Sequence, residues 1–340
     1  MARRLDATVW QRRLDELARR HDVPGASLAV LAAGNLTTLV TGYVLLGRVI
    51  EQLTGAVWDA AIAEHLVGPL GLTHTWTLPE DLRRFRVAMG HFTPSSGGPP
   101  RPAPVWYLMR SMGPAGLVCA TAADVVAFAR MHLDHGRPAD GASVLGAATV
   151  AQMQRPQARM PHPHGMCDHW GLCWALFDWD GRRVFGHDGD SIGQQASVRV
   201  VPDAGVVVAL LTNSDRAGAL HRELTTELLA DLCELAVPAP PRPPDNPPPV
   251  DLTRHVGVCE RVGLRAEVAV RDGGLVMHVA RAGDMAGLEP PYEVRLVPLT
   301  DDLLLGRAPG STRWLSYFFY TLPDGTTYLH DGARATPCVT

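Results

Sequence analysis

The sheet of this protein is encoded largely by one stretch, residues 182–212, which reads RRVFGHDGDSIGQQASVRVVPDAGVVVALLT. Apolar and polar residues alternate through it with a period of two, as in β-strands that bury one face. Together with the residues just before it, the stretch predicts four strands: Gly171–Phe177, Arg182–Gly186, Gln195–Val201 and Val206–Thr212. Asp180-Gly181 and Pro202–Gly205 supply the turns of an antiparallel sheet.

Segments with helical spacing of apolar residues lie before and after these strands. The predicted helices are Asp6–His21, Tyr43–Leu53, Val57–Val67, Ala122–Leu133 and Arg216–Leu235. Thr121, with Asp124 three residues later, predicts an N-terminal cap for the fourth helix. Two short strands, Ala26–Leu31 and Leu36–Val40, are predicted after the first helix. This order indicates an α+β domain in which an antiparallel sheet is flanked by helices.

A proline-rich segment, Val237–Pro249, separates this domain from the rest of the chain, since eight of its thirteen residues are proline. Such a composition is typical of a stiff linker. Beyond it, short strands are broken by turns such as Asp272–Gly274 and Asp324-Gly325. The predicted domains are therefore residues 1–236, a linker over 237–249, and a small all-β barrel over 250–340.

Composition excludes several classes of partner. The chain has 340 residues, is 46% hydrophobic and carries a net charge of −4. Its basic residues are scattered, so a nucleic-acid surface is not expected. No segment resembles a signal peptide or a membrane span, which predicts a cytoplasmic protein without a membrane partner. Six cysteines are too sparse for a disulfide framework, so free thiols are expected.

Several short stretches, taken in order, resemble the β-lactamase-related serine hydrolases. This penicillin-binding-protein-like group includes class C β-lactamases, D-amino peptidases and esterases. The stretches are Val23–Val30, Thr41–Glu51, Pro69–Thr75, Pro114–Leu117, Ala120–Asp124, Gly186–Gly189 and Leu210–Asp215. The resemblance covers residues 5 to 236, and the tail Tyr328–Thr336 is similar to the lipocalin-like domain that some of these proteins carry.

The resemblance implies acyl transfer through a covalent serine ester, with backbone N–H groups that hold the oxyanion. The family uses three motifs: Ser-x-x-Lys, Tyr-x-Asn and Lys/His-x-Gly. Here the third is present as His187-Asp188-Gly189. His187, Gly189 and the next residue, Asp190, which would supply an oxyanion N–H, are the implied catalytic residues. Asp188, Ser191 and Ser111 are the predicted substrate-binding residues.

The first two motifs are missing. Where the family has Tyr-x-Asn before Thr-Gly-Tyr, this chain has Thr38 and Val40 before Thr41-Gly42-Tyr43. The shared Thr-Gly indicates the join of an internal deletion that removed the nucleophile segment and truncated the helical subdomain. All 31 basic residues are arginine, and arginine cannot accept a proton as the family's lysine does. The sequence therefore predicts a catalytically impaired family member.

Two other functions remain open. Ser111 or Ser191 could be a substitute nucleophile in an active hydrolase or esterase, although neither has a base at fixed spacing. Alternatively, the C-terminal barrel could bind a small ligand, although a barrel this small can be filled by its own side chains. In each case the expected partner is a small molecule, and for the first domain it is an acyl-peptide or an ester.

No cofactor and no metal are expected. A cluster of zinc-type ligands spans His162, His164, Cys167, His169 and Cys173, but its spacing matches no known zinc motif. On the predicted strand, Cys173 would be a core residue. Asp188 and Asp190 could hold a cation, but solvated turn carboxylates are the preferred interpretation.

The deletion also predicts a surface. The helices Tyr43–Leu53 and Val57–Val67 would lose the helices that normally cover them. Their apolar faces must find new cover or remain exposed as an apolar patch, so poor solubility or self-association is expected.

Overall fold

A computed structural model describes residues 39–93, 99–138, 141–162, 165–283, 286, 290–309, 311, 313–332 and 334–339. The predicted helix Asp6–His21 and strand Ala26–Leu31 lie outside the described residues. None of the helices in the described ranges combines the length and the apolarity that a membrane crossing requires.

The chain forms two compact units. The first holds the described residues up to Phe92, Pro100–Met153 and Gly186–His221. The second holds Thr93–Pro99, Gln154–Phe185 and Arg222–Thr340. The domain limits drawn from the proline-rich linker stay a prediction.

Six α-helices are present in the described residues: α1 (Leu39–Thr54), α2 (Trp58–Ile62), α3 (Gly113–Gly116), α4 (Ala122–Leu133), α5 (Ala147–Met153) and α6 (Gly218–Cys233). Helix α2 passes directly into a π-helical turn, Ala63–Val67. Helix α4 has its predicted bounds, and the side chain of Thr121 accepts a hydrogen bond of 3.3 Å from the Asp124 backbone N–H. This cap satisfies one of the N–H groups that a helix start leaves without a partner.

The predicted strand Leu36–Val40 is wrong where it can be compared, because α1 begins at Leu39. The prediction relied on the strand preference of β-branched residues. In a helix, each β-branched residue costs only a few tenths of a kcal/mol relative to alanine. Once a helix has formed, each further residue adds a hydrogen bond, so a helix extends readily over such residues.

The first eight strands are β1 (His91–Phe92), β2 (Arg101–Pro102), β3 (Ala158–Arg159), β4 (His169–Trp170), β5 (Ala175–Trp179), β6 (Arg182–Ser191), β7 (Gln194–Val201) and β8 (Val206–Thr212). Strands β1 and β2 form a small ladder, and β3 to β8 follow one another in sheet order. The β7–β8 register pairs Gln195 with Thr212 and Val201 with Val206. The turn before β8 ends at Gly205, whose φ is 62°.

The predicted strand Gly171–Phe177 is corrected to a hairpin between β4 and β5. The N–H of Gly171 donates to the carbonyl of Trp174 at 2.7 Å, which closes a tight turn over Leu172 and Cys173. Cys173 has a φ of 64° and is exposed, so it is not a core residue. Alternation alone missed the turn because this turn contains neither proline nor asparagine.

The C-terminal region is an eight-stranded antiparallel sheet. Its strands are β9 (Gly257–Arg261), β10 (Leu264–Arg271), β11 (Gly274–Ala280), β12 (Tyr292–Pro298), β13 (Leu303–Gly306), β14 (Leu315–Thr321), β15 (Thr327–Asp331) and β16 (Arg334–Pro337). Each strand pairs with the next. Cys259 on β9 forms an antiparallel bridge with Cys338, just after β16, so the two edges meet in a nearly closed barrel. Side chains such as Leu275, Val294 and Leu304 fill its core.

The expectation of free thiols is wrong for two cysteines. Cys259 and Cys338 form a disulfide across 79 residues of sequence. Barrel closure places them directly opposite each other, which their spacing in the sequence does not reveal. Cys119, Cys167, Cys173 and Cys233 are free thiols.

Candidate functional site

Strand β6 positions most of the predicted site, because it continues beyond its predicted end at Gly186 to Ser191. Its first half is core, and Val184 and Phe185 are completely buried. From Asp188 onward the strand is exposed. The strand thus brings together five predicted residues on one exposed backbone: His187, Asp188, Gly189, Asp190 and Ser191.

The two glycines of β6 differ in whether the fold could accept a side chain at their positions. A Cβ atom on Gly186 would collide with the carbonyl oxygen of Val198 on β7. A Cβ atom on Gly189 would meet only the Cβ of Ala196, at an ordinary contact distance of 3.7 Å. The fold therefore requires glycine at 186 but not at 189. At 189, glycine leaves β6 without a side chain next to Ala196.

His187 is held by its own strand. Its Nδ1 lies 2.6 Å from the carbonyl oxygen of Asp188. Because a carbonyl can only accept, Nδ1 donates, and the neutral ring carries its hydrogen there. The basic nitrogen is then Nε2. This Nε2 atom is itself buried within the protein.

Asp188 forms a two-point ion pair with Arg199 of β7. The guanidinium Nη1 and Nη2 atoms lie 2.7 and 2.9 Å from the two carboxylate oxygens. Burial would raise the pKa of Asp188, but the hydrogen bonds and charge of Arg199, with a further hydrogen bond from Ser197, lower it overall. The Asp188 carboxylate is therefore ionised and engaged within the protein, where a bound cation would have to displace Arg199.

Asp190 has the opposite electrostatics. Partial burial raises the pKa of its carboxyl, and the negative charge of Asp215 raises it further, whereas a hydrogen bond from Gln195 lowers it. The Gln195 Nε2 atom lies 3.4 Å from the Asp190 carboxylate. The raised pKa concerns the side chain of Asp190, whereas its predicted oxyanion role uses the backbone N–H.

The two candidate nucleophiles lie on different elements. Ser191 is the last residue of β6, and Ser111 lies in a short 3-10 turn, Arg110–Met112. Both side chains are exposed. Within the ranges that the structure describes, neither hydroxyl is hydrogen-bonded to a histidine or a carboxylate. The structure does not connect Ser111 to β6 by a hydrogen bond.

Sequence reasoning missed His221 of α6. Its Nε2 lies 3.0 Å from the Thr212 hydroxyl, which in turn lies 3.2 Å from the carbonyl of Gln195. Burial lowers the pKa of His221, the Asp188 carboxylate raises it, and Arg199 lowers it. No fixed spacing in the sequence could have signalled this network, because it depends on the β7–β8 register.

The cluster of zinc-type ligands is dispersed. His164 lies outside the described residues, and among the described ones no group of three or more His, Cys, Asp or Glu is placed to hold a metal. His162 packs against the rings of Phe318 and His330, with centroid distances of 5.2 and 5.7 Å. Cys167 is buried.

The two missing motifs have no counterpart in the sequence. The chain contains no lysine, so no Ser-x-x-Lys can exist. Val40, which matches the asparagine of Tyr-x-Asn, lies in the first turn of α1. Thr38 lies outside the described residues.

Comparisons with known proteins agree with this geometry. A family model described as Beta-lactamase matches residues 40–231. Over 225 residues the chain is 49% identical to Penicillin-binding protein 4 of Amycolatopsis lactamdurans. That alignment covers 66% of this chain and 59% of the relative, so the chain spans about three fifths of the relative's length.

Two solved structures extend the similarity to the C-terminal region. The crystal structure of SurE is 26% identical and has a TM-score of 0.68, covering 95% of this chain and 73% of SurE. The crystal structure of SurE with D-Leu is 26% identical and has a TM-score of 0.66, covering 96% and 72%.

Proposed function

Because the chain belongs to the β-lactamase family, we propose that it binds an acyl-peptide or ester-like ligand beside β6 but is impaired in acyl transfer. The observation that carries this proposal is the combination of a strand whose second half is exposed and the absence of the family's lysine. A Cβ atom on Gly189 would meet only the Cβ of Ala196, at 3.7 Å, and the chain has no lysine to activate a serine.

The impairment follows from what each remaining group can do. Arginine stays protonated at any pH at which the protein is folded, so none of the 31 basic residues replaces the lysine. In this proposal, the backbone N–H of Asp190 donates to a carbonyl oxygen of the ligand. An oxyanion donor without a nucleophile stabilises binding but does not cleave a bond.

The relatives support the ligand class. One is named as a penicillin-binding protein, and SurE has been crystallised with D-Leu. We therefore infer a peptide ligand that ends in, or contains, an apolar D-amino acid. The chain spans about three fifths of the length of Penicillin-binding protein 4, so we propose its activity and substrate rather than transfer them from that relative.

A fluorescent penicillin and a fluorophosphonate test the proposal directly. We expect neither reagent to label the protein covalently on a denaturing gel, whereas the penicillin binds reversibly in an anisotropy titration. Covalent label mapped to Ser111 or Ser191 by mass spectrometry would instead establish a rewired hydrolase. The variants Ser111→Ala and Ser191→Ala serve as matched controls, since both hydroxyls are exposed and their removal should not affect folding.

The C-terminal barrel offers a second candidate function. An open cavity of about 470 Å³ lies at one end of the barrel, beside the Cys259–Cys338 disulfide, and is lined by polar residues such as Arg254, His255 and Asp324. Native mass spectrometry of the full chain would detect a retained small molecule. If the protein carries none and the cavity binds none of a metabolite library, this second function is rejected.

A further inference from the structure

A cavity of about 560 Å³ lies in the first unit, outside the predicted site residues. Its walls are largely apolar and aromatic and include Phe85, Val87, Met89, Trp106 and Tyr107. This volume and lining are typical of sites for small organic ligands. Large apolar side chains are normally covered, yet Tyr107 is 55% exposed and Phe85 is 39% exposed.

The rim of the cavity has an excess of positive charge. Arg110 Nη1 lies 3.0 Å from a carboxylate oxygen of Glu80, and the same carboxylate also attracts Arg83. Two guanidinium groups thus share one carboxylate, which leaves one positive charge in excess. The neighbouring Arg84 is engaged elsewhere, in an ion pair with Asp81 and over the ring of Trp76.

The cavity wall is tied to the end of β6. The carbonyl of Ala88 accepts hydrogen bonds from Trp106 Nε1 at 3.3 Å and from Gln194 Nε2 at 3.4 Å. The His91 N–H donates to the carbonyl of Gly193 at 2.9 Å. Gln194 and Gly193 form the turn that directly follows Ser191. Residues 87–91 therefore border both the cavity and the turn after β6.

We propose that this cavity binds an N-acylated apolar amino acid with a free carboxylate. The apolar acyl group or side chain contacts the aromatic walls, and the carboxylate pairs with Arg83 at the rim. An apolar wall alone would accept any hydrophobic molecule, but the excess guanidinium selects for an anion. This inference rests on the proposed function. The molecule that binds in the cavity would belong to the same ligand class that we propose for the site beside β6.

N-dansyl-D-leucine is a suitable probe, because its fluorescence rises in apolar surroundings and its carboxylate is free. We expect saturable binding to the full chain and binding at least about tenfold weaker for its methyl ester, since a charge-assisted pair is lost. The Arg83→Gln variant should weaken binding of the acid by about tenfold and leave the ester unchanged. Arg130→Gln, which removes an exposed ion pair on α4, is the matched control and should have no effect.

A second variant tests the apolar wall. Val87 is 40% exposed, so Val87→Trp should fill the cavity without disturbing the core and should abolish probe binding. If Val87→Trp fails to fold, the comparison of the acid with its methyl ester and the Arg83→Gln variant still test the inference. Equal binding of acid and ester, insensitivity to Arg83→Gln, or no binding at all would overturn the inference.

The outcomes also separate this inference from the proposed function. Failure of the proposed function appears as covalent label on a serine, which is independent of Arg83. If instead the probe does not bind and Val87→Trp lowers the association state in light scattering, a second copy of the chain covers the cavity. That result would overturn the ligand inference but not the proposed function.

Discussion

His132 lies on α4 with its imidazole almost completely buried, at 2% exposure. Its ring meets that of Phe128 edge-on, with a centroid distance of 5.2 Å. Burial lowers the pKa of His132 to about 4, because the charged ring would lose its hydration. The neutral ring is therefore the form that the fold accommodates.

This residue makes stability depend on pH. Its pKa in the folded state lies below the ordinary value of 6.5, so the unfolded chain binds more protons between these values. The free energy of unfolding should fall by about 3 kcal/mol as the pH drops through this interval. Urea unfolding at about pH 7 and about pH 4.5 should show a smaller loss for His132→Phe than for the wild type. The exposed His65→Gln is the control, and an equal loss in all three proteins would contradict the prediction.

The two glycines of β6 give a matched pair of variants. Gly186→Ala should destabilise the protein by about 2 kcal/mol or more, because its Cβ would collide with backbone. Gly189→Ala should leave stability nearly unchanged, because its Cβ would make only an ordinary contact with Ala196, but should weaken binding of the fluorescent penicillin beside β6. Thermal unfolding and anisotropy titration measure the two effects. If Gly189→Ala binds as the wild type does, β6 is not the ligand strand.

At this scale the sequence predicts motif residues but not their partners. His187 and Gly189 could be identified from the motif and its flanking stretches. Arg199, which neutralises Asp188, and His221 could not, because cross-strand pairing depends on a register that one sequence does not specify. The assignments of catalytic and substrate-binding roles stay predictions.

Among the elements, α1 has an unusual surface. Its apolar residues Leu46, Val49 and Leu53 are 51%, 44% and 81% exposed. The next exposed apolar residue, Val57, precedes α2 and is 64% exposed. Apolar side chains of α1 thus remain exposed in the described residues, whereas Trp58 and Ala61 of α2 are buried, so only the first of the two predicted faces is uncovered.

We expect this face to drive self-association. The double variant Leu46→Gln/Leu53→Gln should shift the protein towards monomer in light scattering, because it removes apolar surface that a second copy would bury. Arg48→Gln, which removes an exposed ion pair with Glu51 on the same helix, is the control. A wild-type protein that is already monomeric at high concentration would contradict the prediction.

Elements with strong local signals were predicted well, and the others were not. Helix α4 has both a spacing pattern and a cap, and its bounds were predicted to the residue. The hairpin between β4 and β5 was missed, because its turn at Cys173 has no turn-forming residue apart from the flanking Gly171. The extension of β6 through Ser191 was missed because its last residues are polar and lack alternation.

For the whole molecule, the predicted fold class is confirmed: an α+β domain of the β-lactamase family, followed by a barrel-shaped antiparallel sheet. The order of motifs and the turn spacing carried this prediction. The disulfide could not be predicted, because it depends on the closure of the barrel rather than on local sequence. A cytoplasmic location stays a prediction, and a disulfide that persists in the native protein would favour an oxidising compartment instead.

The disulfide predicts how many thiols of the protein can be titrated. Thiol titration of the unfolded protein should detect four free cysteines before reduction and six after it. Cys338→Ser should destabilise the barrel by about 4 kcal/mol, since the closed loop is long. The exposed free thiol variant Cys173→Ser should be neutral. Six reactive thiols without reductant would contradict the prediction.

Barrel closure also decides how this region can be rearranged. The polypeptide enters the sheet at β9 and leaves it just beyond β16, and these edges are hydrogen-bonded neighbours, with the Val339 N–H donating to the Val258 carbonyl at 2.7 Å. The two ends of this segment therefore lie next to each other. A segment of this kind can be spliced into a surface loop of another protein, or circularly permuted, without stretching its ends.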